Sequence, residues 1–265
     1  MNLPACDEAG QGDTAVLLLH GIGGGRSIWH AAGSGTLQAL ADAGFHALAP
    51  DLPGYGDSAS MGPPDTDIFI AAVQAVIDRA QARRVLLLGH SMGGMVAQEF
   101  VARHPGRVHG LVLTCTSALF GKADGAWQRT FIAQRLAPLD AGLGMAGMAD
   151  QLVPGLVSPA ASAQARQSAH AVMARVPEST YRAALATIAG FDRREALAAI
   201  AVPTLLLAAE HDKTAPPELM QRMAARIAGS EYVCLRDAGH IANVEAPTAF
   251  NAAVLDFLRR RFAGG

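Results

Sequence analysis

Residues 85–94 read VLLLGHSMGG, and this stretch decides the fold. An apolar run typical of a buried strand leads directly into Gly89, His90, Ser91, Met92 and Gly93, after which the pattern becomes helical. A serine in such a sharp turn has a strained backbone, so the residues two positions away must lack side chains. The pattern predicts that Ser91 is a nucleophile held above the edge of a sheet. A plain turn serine is the alternative, which the flanking strand and helix disfavour.

A second strand ends in a glycine cluster, because residues 16–25 read VLLLHGIGGG. Backbone N–H groups aligned in such a loop stabilise the negative charge that develops on an attacked carbonyl oxygen. We expect one donor of this oxyanion hole to be Ile22 and the other to be Met92, the residue after the serine. A phosphate-binding glycine loop is the alternative, but the Gly-Lys-Ser/Thr ending and the dinucleotide spacing are missing. His20 is predicted to be structural.

The general base must follow both Ser91 and an acidic residue at a strand end, because serine elbows of this kind carry their partners in the order Ser, acid, His. His240 meets this condition, in a loop between the last strand and the last helix, with Gly239 ahead of it to permit a tight turn. Asp212 follows the preceding strand and is predicted to orient the imidazole without accepting its proton. Glu210 is the alternative acid.

Short apolar runs alternate with helical patterns along most of the chain. Continuously apolar runs indicate strands buried on both faces of a parallel sheet, and a period of 3.6 indicates helices. This alternation predicts an α/β architecture with right-handed crossovers. The predicted strands cover residues 16–19, 46–49, 85–88, 111–115, 204–209 and 232–235, and the predicted helices cover residues 67–80, 92–103, 216–227 and 247–262.

One stretch, from 118 to 199, contains no strand-like run and consists of helical segments separated by prolines. We expect residues 1–117 and 200–265 to form the core of the protein. Residues 118–199 are then predicted to be a helical lid at the C-terminal edge of the sheet, where ligands of such sheets bind.

Four large side chains of this lid are predicted to line an apolar substrate pocket: Trp127, Met145, Met148 and Met173. Packing among the lid's own helices is the alternative. The sequence shows no cluster of Arg or Lys near the motifs that would bind a dicarboxylate.

Composition indicates a globular protein, with 51% hydrophobic residues, 17% charged residues and a net charge of −2. We expect no binding to nucleic acid or membranes, because no long stretch carries one sign of charge and no apolar run approaches the roughly 20 residues that cross a bilayer. The N-terminus lacks signal-peptide features, so a cytoplasmic location is predicted. Cys6, Cys115 and Cys234 make no disulfide framework, and the last two are expected to act as small hydrophobic side chains within apolar runs.

The chain resembles the α/β-hydrolase superfamily along nearly its whole length. Asp51, Asp57 and Ser58 belong to a loop that is typical there and are expected to be structural. The resemblance implies the α/β-hydrolase fold, a mostly parallel twisted sheet flanked by helices. Only about fifteen residues precede the first clear strand, so the usual N-terminal hairpin is shortened and the first two strands are in doubt. The resemblance rests on His20-Gly21 with its glycines, PDLPGYGDS at 50–58, the GHSMGG elbow and the Asp212/His240 pair.

Within the superfamily, GHSMGGMVAQEFVARHPGRV and GHIANVEAP are similar to 3-oxoadipate enol-lactonases and related carboxylesterases. This similarity implies hydrolysis of a small-molecule ester or lactone through an acyl-enzyme, without a metal or organic cofactor. A neighbouring group cleaves carbon–carbon bonds of ring-fission products and often has Asn where this chain has His90. That activity is the alternative, beside cofactor-free perhydrolysis and a ligand-binding receptor. Monomer and homodimer both stay open.

Overall fold

Seven strands form one sheet in the computed structural model, which describes residues 3–30, 34–60, 65–120 and 125–262. The six strands predicted from the sequence are all present, with ends shifted by at most two residues. The strands are β1 (Cys6–Ala9), β2 (Thr14–Leu19), β3 (His46–Pro50), β4 (Arg84–His90), β5 (Gly110–Thr114), β6 (Thr204–Ala209) and β7 (Glu231–Leu235).

The strands lie in the order β1-β3-β2-β4-β5-β6-β7, and each neighbouring pair is parallel except β1 with β3. The chain runs outward from β2 to β3 and then returns to place β4 on the other side of β2. Leu19 and Gly89 are register partners at the ends of β2 and β4. The glycine loop and the serine elbow are therefore neighbours at the point where the strand order reverses, which is where open parallel sheets bind ligands.

Helices occupy the connections, and the predicted mostly parallel sheet flanked by helices is confirmed. Two short 3₁₀ helices, Arg26–Trp29 and Glu195–Ala199, add to them. The α-helices are α1 (Thr36–Asp42), α2 (Thr66–Ala80), α3 (Met92–Arg103), α4 (Ala126–Asp140), α5 (Gly144–Leu156), α6 (Ala163–Met173), α7 (Glu178–Ala189), α8 (Pro217–Ala224), α9 (Ala242–Glu245) and α10 (Pro247–Phe262).

Helix α2 illustrates how the sequence sets these elements. The Asp65 side chain caps its first turn by accepting a hydrogen bond from the Ile68 N–H at 2.9 Å. Phe69, Val73 and Ile77 then recur at helical spacing and are buried in the hydrophobic core. The apolar stripe and the cap together fix the position of the helix.

The central strands are buried along their whole length, but β7 lies at the edge of the sheet. Val233 and Cys234 of β7 are exposed. The prediction that Cys234 is an interior hydrophobic residue is therefore wrong, because β7 is an edge strand and Cys234 is exposed on it. Cys115 is fully buried, as predicted, and Cys6, Cys115 and Cys234 are free thiols.

The sequence left the N-terminal strands in doubt. In the structure this region forms one antiparallel strand, β1, which lies at the edge of the sheet and pairs with β3. Its start is anchored to the loop after β3, because Asp51 N–H donates to the Ala5 carbonyl at 2.8 Å and Ala5 N–H donates to Ser58 Oγ at 2.9 Å. The described residues before β2 thus form one strand, β1.

The described residues between β5 and β6 form four α-helices in sequence, α4 to α7, followed by the 3₁₀ helix Glu195–Ala199. Its two ends meet in an isolated antiparallel bridge between Leu119 and Asp192. Within the described residues, no helix of the protein combines the length and apolar character that crossing a bilayer requires.

Candidate active site

Ser91 occupies a strained turn between β4 and α3, with φ 52° and ψ −117°. The neighbouring glycines permit this turn through close approach. A Cβ on Gly89 would lie 2.4 Å from the Gly93 carbonyl oxygen, and a Cβ on Gly93 would lie 2.2 Å from the Leu19 carbonyl oxygen. Both distances are impossible for a real side chain, so the Gly-x-Ser-x-Gly spacing follows from the contact between elbow and strands, as the sequence predicts.

The imidazole of His240 lies between Ser91 and Asp212. Its Nε2 is 3.0 Å from Ser91 Oγ, and its Nδ1 is 2.8 Å from Asp212 Oδ2. Because an ionised carboxylate only accepts, Nδ1 carries the proton and donates to Asp212, which leaves the Nε2 lone pair for the serine hydroxyl. The structure therefore brings together three side chains that the sequence separates by 149 and 28 positions.

Asp212 is almost completely buried, and its second oxygen is held by the backbone. Oδ1 accepts hydrogen bonds from the N–H groups of Thr214 at 2.8 Å and Ala215 at 2.9 Å. Burial alone would raise the pKa of this carboxyl. The His240 imidazole and the two backbone donors outweigh burial and lower the pKa to about 2, so Asp212 is a carboxylate at neutral pH.

Glu210, the alternative acid, points elsewhere. Its Oε2 accepts a hydrogen bond from Asp237 N–H at 3.0 Å, and its side chain is exposed. Glu210, His211 and Asp237 place potential metal-ligand atoms within 4.8 Å of one another on this exposed surface. The geometry supports Asp212, and not Glu210, as the partner of His240.

The predicted oxyanion donors both line the cavity above Ser91. Met92 is the first residue of α3, where backbone N–H groups lack partners within the helix. Ile22 is held by its carbonyl, to which the Tyr55 hydroxyl donates a hydrogen bond at 3.1 Å. Their role as donors to an oxyanion stays a prediction.

His20 and His90 hold the loops around the site. His20 Nε2 accepts a hydrogen bond from Leu52 N–H at 3.0 Å, and its Nδ1 donates to the Gly21 carbonyl at 2.9 Å, which is the predicted structural role. His90 Nε2 donates to the His240 backbone carbonyl at 2.7 Å. Burial lowers the pKa of His20, and burial together with the nearby His240 lowers that of His90 to about 3, so both imidazoles are neutral.

The loop after β3 is structural, as predicted. Arg26 forms ion pairs with Asp51 and with Asp57, the latter at 2.6 Å. The Ser58 hydroxyl donates to the Asp51 carbonyl at 2.7 Å. These contacts join the glycine loop to the loop after β3, beside the site and not within it.

A largely apolar cavity of about 420 Å³ opens at Ser91. Its walls come from the glycine loop, the elbow and the helices α4 to α7. Trp127 and Met173 line it, and their contact with substrate stays a prediction. Met145 and Met148 do not, so that part of the prediction is wrong: they lie on the buried face of α5, which packs against α4 and α6.

The cavity wall also contains two cationic residues that were not predicted from the sequence, Arg135 and Lys213. Arg135 lies over the Phe131 ring, 4.8 Å from its centroid, and Trp127 stacks on the same ring at 5.2 Å. These three residues recur at intervals of four, which places them on one face of α4. This spacing is the sequence feature that could have indicated that Arg135 lies on the same side of α4 as Trp127. Among the described residues, neither cation has an acidic partner, and no Asp or Glu lines the cavity.

Comparison with known proteins identifies the family of the chain. Residues 16–253 match the model of the alpha/beta hydrolase family. A protein of Variovorax paradoxus named as a carbamate hydrolase is 34% identical over 260 residues, covering 95% of this chain and 94% of the relative. The 2-hydroxy-6-oxononadienedioate/2-hydroxy-6-oxononatrienedioate hydrolase of Escherichia coli K12 is 31% identical over 263 residues, covering 96% and 90%.

A solved structure, the enol-lactonase from Burkholderia xenovorans, superposes with a TM-score of 0.82 at 27% sequence identity. The match covers 96% of this chain and 95% of that chain. The family match spans most of the sequence and includes the residues that carry the elbow, the base and its acidic partner. The chain therefore belongs to the alpha/beta hydrolase family.

Proposed function

We propose that the protein is a serine hydrolase that cleaves a carboxylic ester or lactone through an acyl-enzyme intermediate. The observation that carries this proposal is the position of His240, 3.0 Å from Ser91 Oγ and 2.8 Å from Asp212 Oδ2. A nucleophile within reach of a base, which a third group orients, is the arrangement that acyl transfer requires.

The proposed reaction follows from these contacts. Ser91 Oγ attacks the carbonyl carbon while His240 Nε2 takes its proton, and the Asp212 carboxylate stabilises the resulting imidazolium. The N–H groups of Ile22 and Met92 stabilise the oxyanion. His240 then protonates the leaving alkoxide oxygen, and the same imidazole deprotonates the water that releases the acid and regenerates Ser91.

The helices between β5 and β6 shape the substrate site. We assign residues 118–199 as a lid on a core of residues 1–117 and 200–265, because α4 to α7 contribute much of the cavity wall. A lid of this kind excludes water from the acyl-enzyme and encloses an apolar part of the substrate.

Arg135 and Lys213 have no acidic partner among the described residues, and this predicts a preference for substrates that carry a carboxylate. Arg135→Gln is expected to lower kcat/KM about tenfold for a p-nitrophenyl ester of a dicarboxylic acid, since it removes a charge-assisted hydrogen bond. The neutral p-nitrophenyl butyrate serves as the comparison and should change by less than about twofold. Steady-state kinetics of both esters measure this.

Arg129→Gln is the matched control, because Arg129 lies on the same helix and is exposed outside the cavity wall. Equal losses for the charged and the neutral ester in Arg135→Gln would remove the anion preference from the proposal.

Carbon–carbon hydrolysis is the second candidate, and the Escherichia coli relative named above favours it. Both reactions need the same nucleophile and base, so the choice of substrate must distinguish ester or lactone hydrolysis from carbon–carbon hydrolysis. We expect p-nitrophenyl acetate and a simple lactone to be hydrolysed at least about 100-fold faster, by kcat/KM, than a coloured ring-fission dienol.

The panel includes a carbamate, and each assay is repeated with Ser91→Ala to subtract background hydrolysis. A dienol that is cleaved faster than every ester, lactone and carbamate would replace ester hydrolysis by carbon–carbon hydrolysis.

A further inference from the structure

The carboxylate of Glu245 binds the peptides on both sides of His240. Glu245 ends helix α9, and its Oε2 accepts a hydrogen bond from Gly239 N–H at 2.9 Å. Its Oε1 accepts a second hydrogen bond, from Ile241 N–H, at 3.1 Å. Since residues 239 and 241 flank the base, one side chain fixes the backbone of His240 at both ends.

The same carboxylate reaches the end of helix α5. Glu245 Oε2 also accepts a hydrogen bond from Ser158 N–H at 2.6 Å. A second hydrogen bond joins the base loop to the end of α5, because His240 N–H donates to the Leu156 carbonyl at 2.7 Å. Leu156 in turn lines the cavity, so the segment that holds the base also touches the space where substrate binds.

Gly239 allows this close contact. A Cβ at Gly239 would lie 2.6 Å from Ser158 N and 2.7 Å from the Leu156 carbonyl oxygen. Its φ lies outside the left-handed region, so the glycine serves the approach of two segments and not a special turn. Arg166 supports the α5 side by donating to the Ser158 carbonyl at 2.9 Å.

We propose that Glu245 is the positioning residue of the base, and that it sets the His240 imidazole against Ser91 by joining the base loop to the end of α5. This rests on the proposed function, in which His240 is the base. The backbone of His240 is then held through its N–H by Leu156, through its carbonyl by His90, and through both flanking peptides by Glu245.

Glutamine is the informative replacement because it has nearly the same shape. A carboxylate accepts with both oxygens, whereas an amide accepts with one oxygen and donates with its nitrogen. In Glu245→Gln, a side-chain N–H therefore faces a peptide N–H on one side of the base loop. The loop shifts away from that contact, and displacements of about 1 Å at a catalytic group can lower a rate by about 10².

The test separates positioning from stability by following the reaction of a fluorophosphonate with Ser91 in real time. The amplitude of the reaction counts folded sites, and its rate constant reports how well the base activates the serine. For Glu245→Gln we expect an amplitude near that of the wild type and a rate constant that is about 10- to 100-fold lower.

Glu210→Gln is the matched control, since Glu210 also accepts a peptide N–H, that of Asp237, in the same loop but does not flank the base. Its rate constant should stay within about twofold of the wild type. Gly239→Ala is the second variant, because it separates the same two segments while retaining Glu245. It should lower the rate constant like Glu245→Gln, and it decides the question if Glu245→Gln does not fold.

A wild-type rate constant in Glu245→Gln, even with a reduced amplitude, would overturn the proposal and leave Glu245 as a stabilising residue alone. If Glu245→Gln does not fold, a wild-type rate constant in Gly239→Ala would overturn it. Failure of the proposed function looks different: the wild-type protein would then hydrolyse neither esters nor lactones, or Ser91→Ala would hydrolyse them as fast as the wild type, whatever the Glu245 variants do.

Discussion

Replacement of Ser91 by alanine is expected to lower kcat by about 10⁴- to 10⁶-fold and to leave the fold intact. The Ser91 hydroxyl bonds to His240 Nε2 at 3.0 Å, and its removal leaves no group that can form the acyl-enzyme. The glycine contacts that stabilise the elbow involve backbone atoms and persist in the variant. Turnover of p-nitrophenyl acetate and the thermal unfolding midpoint measure the two effects.

Ser230→Ala is a control for the substitution itself, because the Ser230 hydroxyl donates to the Ala224 carbonyl before β7 and has no place in the site. If Ser91→Ala retained more than about a tenth of the activity, another nucleophile would have to be sought.

Asp212→Asn is expected to lower kcat by about 10⁴. The structure gives a specific reason for an effect of this size. The N–H groups of Thr214 and Ala215 both donate to Oδ1, so the asparagine oxygen is held there and its NH₂ group faces His240. His240 Nδ1 must then accept, which places the proton on Nε2, where it blocks proton transfer from Ser91.

The measurement is kcat at several pH values, because hydroxide at high pH would partly replace His240, which the wrong tautomer prevents from acting as the base. Glu210→Gln, with activity near the wild type, is the matched control. A loss of less than tenfold in Asp212→Asn would move the acid role away from Asp212, and Glu210 would be the first residue to test.

The sequence predicted the parts of this protein that depend on local pattern and chain order. A buried strand that ends in Gly-x-Ser-x-Gly specifies an elbow at Ser91, because the steric demand on Gly89 and Gly93 is local. Asp212 and His240 followed from their order along the chain and their places after strands, since the carboxyl ends of parallel strands share one edge.

Features that depend on which elements become neighbours were missed. Cys234 looked like an interior residue because its strand is apolar, and only the strand order shows that β7 is an edge. The sequence predicts a pocket position for Met145 and Met148 as it does for Met173. In the structure, Met145 and Met148 lie on the buried face of α5, where the helices pack together. The role of Gly239 was misjudged for the same reason.

The contact of Glu245 with Ser158 was also missed, because the two residues lie 87 positions apart in the chain. No pattern around Glu245 indicates a contact with the end of α5. The cations of the cavity could not be predicted for the same reason, since Arg135 and Lys213 come from separate segments and line one cavity only in the folded chain. Spacing on α4 gave a partial signal for Arg135 alone.

The central claim, that His240 activates Ser91 for attack on an acyl carbon, is tested most directly by mass spectrometry after brief treatment with a fluorophosphonate. The account predicts a single adduct on the peptide that contains Ser91 in the wild type, and almost none in His240→Ala over the same time. Absence of the adduct from the native protein, or equal labelling of Ser91 in His240→Ala, would contradict it.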